Sequence, residues 1–216
     1  MIRGRIFGSR EEIARWMELL YPELPEVMGR VASRVPFIKR QIDPYQGEAL
    51  YAITKALAPQ AVLEIGTAWG YSAAILAEAA PEAAIITLNP KEHEVIRARQ
   101  HLAAYPNVAV IQAKSWDMLN VLHDRWDMVW IDGDHRNVRL DLPWFNRLML
   151  NGLMLFHDYS PDDSARPCQV VYDEVNALSK QLGREPDVLI IDTLGVGMAG
   201  FYRREGDTYY GDLCDR

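Results

Sequence analysis

From residue 61 to residue 202, short apolar runs alternate with stretches whose apolar positions recur at helical spacing. The runs Ala61–Ile65, Ala84–Leu88, Val108–Gln112, Asp127–Ile131, Leu153–Phe156, Val188–Ile191 and Val196–Tyr202 predict strands. Helical spacing predicts helices from Gly70 to Ala80, from Lys91 to Ala104, near Asp117–Leu122, around Val138–Leu150 and from Pro167 to Leu182. Such alternation folds as right-handed βαβ units, giving a parallel sheet with helices on both faces. One junction differs. Asp192-Thr193-Leu194-Gly195 is too short for a crossover helix, so the last two strands must pair antiparallel. The expected fold is α/β, a seven-stranded, mostly parallel sheet with one antiparallel edge strand.

Three helical segments precede this pattern. Ser9-Arg10-Glu11-Glu12 has capping-box spacing, and Ile13, Trp16, Met17 and Leu20 then share a helical face. Pro22 and Pro25 end that helix, and a weaker helical stretch follows to about Ala32. The third opens at Asp43-Pro44, carries Ala49, Leu50, Ile53 and Leu57 on one side, and closes at Pro59. The reading divides the chain into an N-terminal helical extension or lid (1–42), a core (43–204) and a C-terminal tail (205–216). The apolar face of the first helix points to a homodimer.

Composition narrows the class. Hydrophobic residues make up 49% and charged residues 25%, the balance of a soluble globular domain. No apolar run approaches the ~20 residues that span a bilayer, and the start of the chain lacks the features of a secretory signal. The two cysteines, Cys168 and Cys214, are too few for a disulfide framework or a zinc site, so a cytoplasmic setting is expected. A net charge of −7 argues against nucleic acid as a partner. Residues 1–40 carry eight Arg and Lys against five Glu, a local excess of +3. That excess reads first as a solvated helical face, and second as a basic lid that receives an acidic substrate.

The strongest local signal is Val62-Leu63-Glu64-Ile65-Gly66-Thr67-Ala68-Trp69-Gly70-Tyr71-Ser72-Ala73, a buried strand entering a glycine turn and then a helix. Gly66 lets the chain turn, Gly70 lets the helix start lie close to a ligand, and free N–H groups there would face an anion. The spacing is G-x-x-x-G, unlike the G-x-G-x-x-G of a pyrophosphate cradle. Glu64, two residues before Gly66, would repel a diphosphate and suits an ammonium. S-adenosylmethionine carries an ammonium, a sulfonium and a carboxylate, and matches both features together.

Glu64-Ile65-Gly66 followed by Gly70-Tyr71-Ser72-Ala73 resembles the first motif of catechol- and caffeoyl-CoA-type O-methyltransferases, and Pro44-Tyr45-Gln46-Gly47 resembles the helix start those enzymes carry. Ile131-Asp132-Gly133-Asp134-His135 and Phe156-His157-Asp158-Tyr159 look more like the bacterial macrocin and cephalosporin-hydroxylase-type tailoring enzymes. The similarity runs from about residue 42 to 203. It implies a class I S-adenosylmethionine-dependent methyltransferase of Rossmann-like fold acting on a hydroxylated small molecule. By position it implies cofactor contacts at Glu64, Gly66, Thr67, Ala68, Trp69, Tyr71, Ser72, Ser115, Trp116 and Asp132. Asn89 ends the second strand of the pattern, where the family has a carboxylate for both ribose hydroxyls; an amide accepts one hydrogen bond and donates another, without the charge. Trp116 reads as an adenine-stacking group or a core tryptophan, and Trp69 as a cover for the cofactor or plain packing.

In an open parallel sheet, ligands sit at the carboxyl ends of the strands near the switch in strand order. Asp132, Asp134 and His135 leave one predicted strand there, and His157 and Asp158 leave the next. Clustered carboxylates repel unless a cation or proton intervenes. One reading is a divalent ion, Mg²⁺ first, on Asp132 and Asp158, with His157 as a substitute ligand because Tyr159 stands where the catechol-type enzymes have an amide. The other is a metal-free site in which Asp132 lies near the methyl donor and two histidines handle protons. The resemblance implies that His135, three residues past Asp132, is the catalytic base beside Asp132; the other reading is a loop histidine capping the next helix. His93, His101 and His123 read as surface residues on helices.

Two other classes remain open: a cofactor-binding protein without turnover, and a nicotinamide-dependent oxidoreductase. The Tyr51–Lys55 pattern Y-x-x-x-K precedes the glycine loop, whereas that of short-chain reductases lies far downstream, so the match is chance.

Overall fold

The computed structural model describes residues 4–36, 42–123 and 125–211. Cys214 lies outside the described residues. The strands are β1 Gly4–Gly8, β2 Ala61–Ile65, β3 Ala84–Asn89, β4 Val108–Gln112, β5 Trp126–Ile131, β6 Leu148–Phe156, β7 Val188–Asp192 and β8 Gly197–Tyr202. The helices are α1 Arg10–Leu20, α2 Leu24–Arg34, α3 Pro44–Leu57, α4 Tyr71–Ala79, α5 Glu92–His101, α6 Ser115–Met118 and α7 Gln169–Leu182. The strands form one sheet in the order β1-β7-β8-β6-β5-β2-β3-β4. β8 runs antiparallel to β6 and β7, and every other pairing is parallel.

Two features correct the seven-strand expectation. β1 is an eighth strand, parallel to β7. Its run Gly-Arg-Ile-Phe-Gly leaves Phe7 exposed and Ile6 only half-buried, so no buried alternation marks it. The antiparallel strand β8 lies between β7 and β6, so it is interior rather than at the edge, and β1 is the edge strand beyond β7. The N-terminal region is thus not helical throughout. A third difference lies at Val138–Leu150, where two 3-10 turns (His135–Leu140 and Leu142–Arg147) lead straight into β6. Pro143 has no N–H with which to continue a helix through this stretch.

Apolar side chains pack on both faces. On one, α3 and α4 bring Leu50, Ile53, Ala73, Ile75 and Leu76 against Val62, Met128 and Leu155 of the sheet, with Ile13, Met17, Leu24 and Val31 of α1 and α2 closing the cluster. On the other, Trp144, Phe145, Val171, Val175 and Leu178 pack against Leu63, Val129, Met154 and Phe156. Of the four positions predicted to share the α1 face, Ile13 and Met17 are buried, while Trp16 and Leu20 are exposed. Among the described residues no helix is long and apolar enough to cross a membrane.

The strand order reverses between β2, whose chain runs outward through β3 and β4, and β5, which returns to β2's other side. The carboxyl ends of these two strands frame the crevice where ligands collect in such sheets.

Candidate active site

The glycine turn follows β2 directly. Gly66 has φ +107° and Gly70 φ +95°, both in the region that side chains rarely adopt. Gly66 is also crowded: a Cβ there would overlap the Asp132 carbonyl and reach within 2.8 Å of Gly133 Cα. Only glycine permits this approach between the β2 and β5 loops. The loops are tied by Asp132 N–H to the Ile65 carbonyl at 2.9 Å, and Gly66 N–H donates to the Leu88 carbonyl at 2.9 Å. Ala68 has φ +43°, a strained value for a residue with a side chain.

Glu64 lies beneath this turn, fully buried. One carboxylate oxygen accepts from Ser72 Oγ at 2.5 Å and the other from Thr87 Oγ1, which in turn meets Thr67 Oγ1 at 2.5 Å. Burial pushes the carboxyl up to about 7, against the two hydroxyl bonds. The Ser72 hydroxyl is therefore spent on Glu64, and the Tyr71 ring is buried in the core. Within the turn, Thr67 N–H also donates to the Leu88 carbonyl and Gly70 N–H to the Thr67 carbonyl. Half-buried Trp69 is held by its carbonyl, 2.9 Å from His101 Nδ1, with the two rings 5.9 Å apart.

Around the crevice, Asn89 is nearly buried and bonded within the chain. Ser115 is buried against Asp141, whose carboxyl burial pushes up to about 7. Trp116 is half-buried with the Lys114 ammonium 5.5 Å from its ring centre.

After β5 and β6 the titratable groups converge. Asp158 Oδ2 lies 3.1 Å from both His135 Nε2 and His157 Nδ1, and His157 Nδ1 lies 3.1 Å from Asp132 Oδ1. Asp158 itself has φ +52°. On its far side, buried His157 meets Gln46 Oε1 at 3.0 Å from Nε2. Gln46 is the N3 residue of the α3 capping box: its Oε1 accepts the Asp43 N–H at 3.0 Å. That bond orients the amide with its oxygen toward His157, so Nε2 must be the donor. Nδ1 then faces two carboxylates, where only a second N–H is favourable. Burial pulls the imidazole down, but Asp132 and Asp158 outweigh it and raise it to about 10. The two carboxylates thus hold His157 toward its cationic form.

His135 is also raised, first by a hydrogen bond with Cys168, against burial, and then by Asp158. For Asp158, burial opposes ionisation, yet His157 and His135 hold its carboxyl below the usual range. Asp134, grouped with these residues on sequence, caps the following turn by accepting from Arg136 N–H and Asn137 Nδ2. Tyr159 turns away, donating to Asn176 Oδ1 at 3.1 Å with its ring against Tyr172.

Asp132, His135 and Asp158 can each offer a ligand atom with all three within 4.8 Å. Two carboxylates and an imidazole suit a divalent ion of intermediate hardness. His157, expected as a ligand, lies beside this group, its Nδ1 3.1 Å from a carboxylate oxygen of Asp132 and of Asp158.

Several partners were not foreseen. Gln46 was visible as part of the helix start, and its three-residue spacing from Asp43 is the capping-box signal. His101, expected at the surface, is half-buried against the glycine loop, while His93 and His123 are exposed and His123 lies outside any helix. Asp141 and Cys168 carry no local pattern.

Residues 63–159 match a family described as a methyltransferase domain. The catechol O-methyltransferase of Mycobacterium tuberculosis is 33% identical over 132 residues, 59% of this chain and 59% of that protein, so the match spans about three fifths of either length. Among solved structures, an SAH-bound methyltransferase from Podospora anserina superposes with a TM-score of 0.68 at 18% identity, covering 89% of this chain and 94% of that one. An O-methyltransferase involved in tomaymycin synthesis in Streptomyces achromogenes, solved with SAM, gives 0.64 at 18% identity over 88% and 96% of the two chains. These likenesses show the Rossmann-like fold.

Proposed function

Taking residues 63–159 as a methyltransferase domain, we propose that the chain transfers the methyl group of S-adenosylmethionine to a hydroxyl of a small molecule. The observation that carries this reading is the junction of the glycine turn and the acidic cluster. Asp132 belongs to both, hydrogen-bonded to Ile65 through its backbone and facing His157 through its side chain. A donor molecule on the turn and an acceptor at the cluster would thus be neighbours. The names of the matched relatives, one a catechol O-methyltransferase and two solved with SAH or SAM, support the same chemistry.

In this reading the N–H groups of Ala68 and Trp69 and the start of α4 receive the cofactor carboxylate, while Gly66 and Thr67, bonded to the Leu88 carbonyl, fix the shape of the turn that holds it. Asp132 faces its ammonium, and Glu64, Tyr71 and Ser72 hold the turn's shape from beneath. Ser115 and Trp116 border the adenine, and Asn89 the ribose. His135 removes the proton as the substrate oxygen attacks the methyl carbon in line; a sulfonium leaves readily, so alignment and deprotonation are what the protein must supply. Asp158 steadies the imidazolium that His135 becomes.

A divalent ion on Asp132 and Asp158, with an imidazole, would lower the hydroxyl's pKa. A second reading is metal-free, favoured by the position of His157: Asp132 and Asp158 raise its pKa, and a protonated imidazole between them supplies the positive charge. The acidic net charge supports a small-molecule substrate over nucleic acid, and exposed Trp16, Leu19 and Leu20 support a homodimer. Cysteine scarcity supports a cytoplasmic setting.

Calorimetry with S-adenosylmethionine and S-adenosylhomocysteine, with Mg²⁺ and with EDTA, tests cofactor and metal together. Binding of both ligands is expected; no binding of either overturns the function. Turnover of a catechol that survives EDTA supports the metal-free reading, and its loss, restored by Mg²⁺, supports the ion.

A further inference from the structure

β3 ends in Asn89 beside the glycine turn, since the carbonyl of the preceding Leu88 accepts the Gly66 N–H. Both polar atoms of the Asn89 side chain are committed. Nδ2 donates to Glu94 Oε2 at 2.8 Å, and Oδ1 accepts the Lys91 N–H at 2.9 Å. A ligand hydroxyl has only the second Nδ2 hydrogen and the second Oδ1 lone pair of this buried, uncharged amide to use. The carboxylate that Asn89 draws in is different. Glu94 stands in the first turn of α5, its side chain 18% exposed, and its second oxygen meets Lys91 Nζ at 3.0 Å. Each carboxylate oxygen has two acceptor sites, so both retain capacity after these contacts. Further along, the same segment lines the glycine turn: His101 Nδ1 meets the Trp69 carbonyl, and a Cβ on Gly70 would lie 2.9 Å from the Leu102 side chain.

Resting on the reading that S-adenosylmethionine is the cofactor, we propose that Glu94 is the carboxylate that accepts the ribose hydroxyls, with Asn89 as its positioning residue. A vicinal diol presents two O–H donors side by side, which one carboxylate can receive with its two oxygens. The neutral amide at residue 89 is what lets a carboxylate from α5 lie at the end of β3. A carboxylate there would repel it. The exposed Lys91 ammonium adds little by itself.

The test is calorimetric titration with S-adenosylhomocysteine and with its 2′-deoxy analogue. Glu94→Gln should weaken S-adenosylhomocysteine by about tenfold or more, the usual effect of losing a charge-assisted hydrogen bond. It should leave the affinity for the 2′-deoxy analogue much less changed, because part of the lost contact is already missing. Exchanging the two groups, in Asn89→Asp/Glu94→Gln, should recover much of the loss, since the carboxylate returns to the same place from the strand. Equal weakening of both ligands by Glu94→Gln would reduce Glu94 to a scaffold role and overturn the proposal. So would wild-type affinity in Glu94→Gln. Absence of S-adenosylhomocysteine binding in the wild-type chain would instead overturn the cofactor reading, and this proposal with it.

Discussion

Gln46 Oε1 and His157 Nε2 meet at 3.0 Å across 111 residues of sequence, joining the start of α3 to the end of β6. The amide oxygen serves the capping box and the imidazole at once, so a helix-start residue sets which His157 nitrogen is a donor. Gln46→Ala removes the cap and leaves a buried N–H without an acceptor. A loss of about 2 kcal/mol of folding stability is expected from these two effects, read as a lower denaturant midpoint with unchanged slope.

The charge on His157 has a pH signature. Its value rises from 6.5 to about 10 in the folded chain, through the carboxylates that outweigh burial. A group raised on folding contributes its full stability below the unfolded value and loses it as pH climbs through the folded one. Wild-type stability should therefore decline between about pH 6.5 and pH 10, and His157→Gln should flatten that decline. Equal slopes in the two proteins would place the proton elsewhere.

His135 is the proposed base, so His135→Ala should lower kcat by roughly 10²- to 10⁴-fold with S-adenosylhomocysteine affinity nearly unchanged. Its raised pKa shifts the requirement for the neutral imidazole upward. The alkaline-going limb of the kcat profile should thus lie above 6.5.

The stability contribution of Glu64 runs with pH in the opposite sense to that of a carboxylate whose pKa is lowered on folding. Burial lifts it from 4.5 to about 7, so its contribution is complete below pH 4.5 and lost as pH rises through about 7. Glu64→Gln cannot ionise. It should be more stable than the wild type above pH 7 in urea titrations, and the difference should disappear at acid pH.

Gly66→Ala would force a Cβ onto the Asp132 carbonyl while holding φ at +107°. Such overlap costs roughly 3 kcal/mol or more, or the two loops part. Either result should abolish S-adenosylhomocysteine binding in calorimetry, even where circular dichroism shows a folded chain.

Much of this architecture was legible because buried parallel strands are nearly continuous apolar runs. β2 and β4 fall at their expected limits, and β3, β5, β7 and β8 fall within about a residue of theirs. β1 escaped because neither of its faces is buried, and the helix around Val138–Leu150 failed because apolar spacing says nothing of a proline's missing donor. The site divides the same way. Gly66, Asp132, His135, His157 and Asp158 announce themselves at strand ends, and the structure brings them together. Gln46, Glu94, Asp141 and Cys168 act through contacts between distant segments, which no local pattern encodes. Glu64 shows the limit of strand-end reasoning: its position was correct, but its direction, inward to Ser72 and Thr87, depends on which face the pleat presents.

The stitching of β1 to β7 changes what the leading segment can do. Residues 10–34 are anchored by a strand at their amino end, and Arg10 grips Asp192 at 2.8 Å and Asp43 at 3.4 Å. A chain shortened to begin at Pro44 would not merely shed an appendage. It would lay bare the flank of Val188–Asp192 as an unprotected rim, with Leu189 and Ile191 ready to recruit any passing extended peptide, so clumping rather than soluble catalyst is the outcome to anticipate from such a shortened gene.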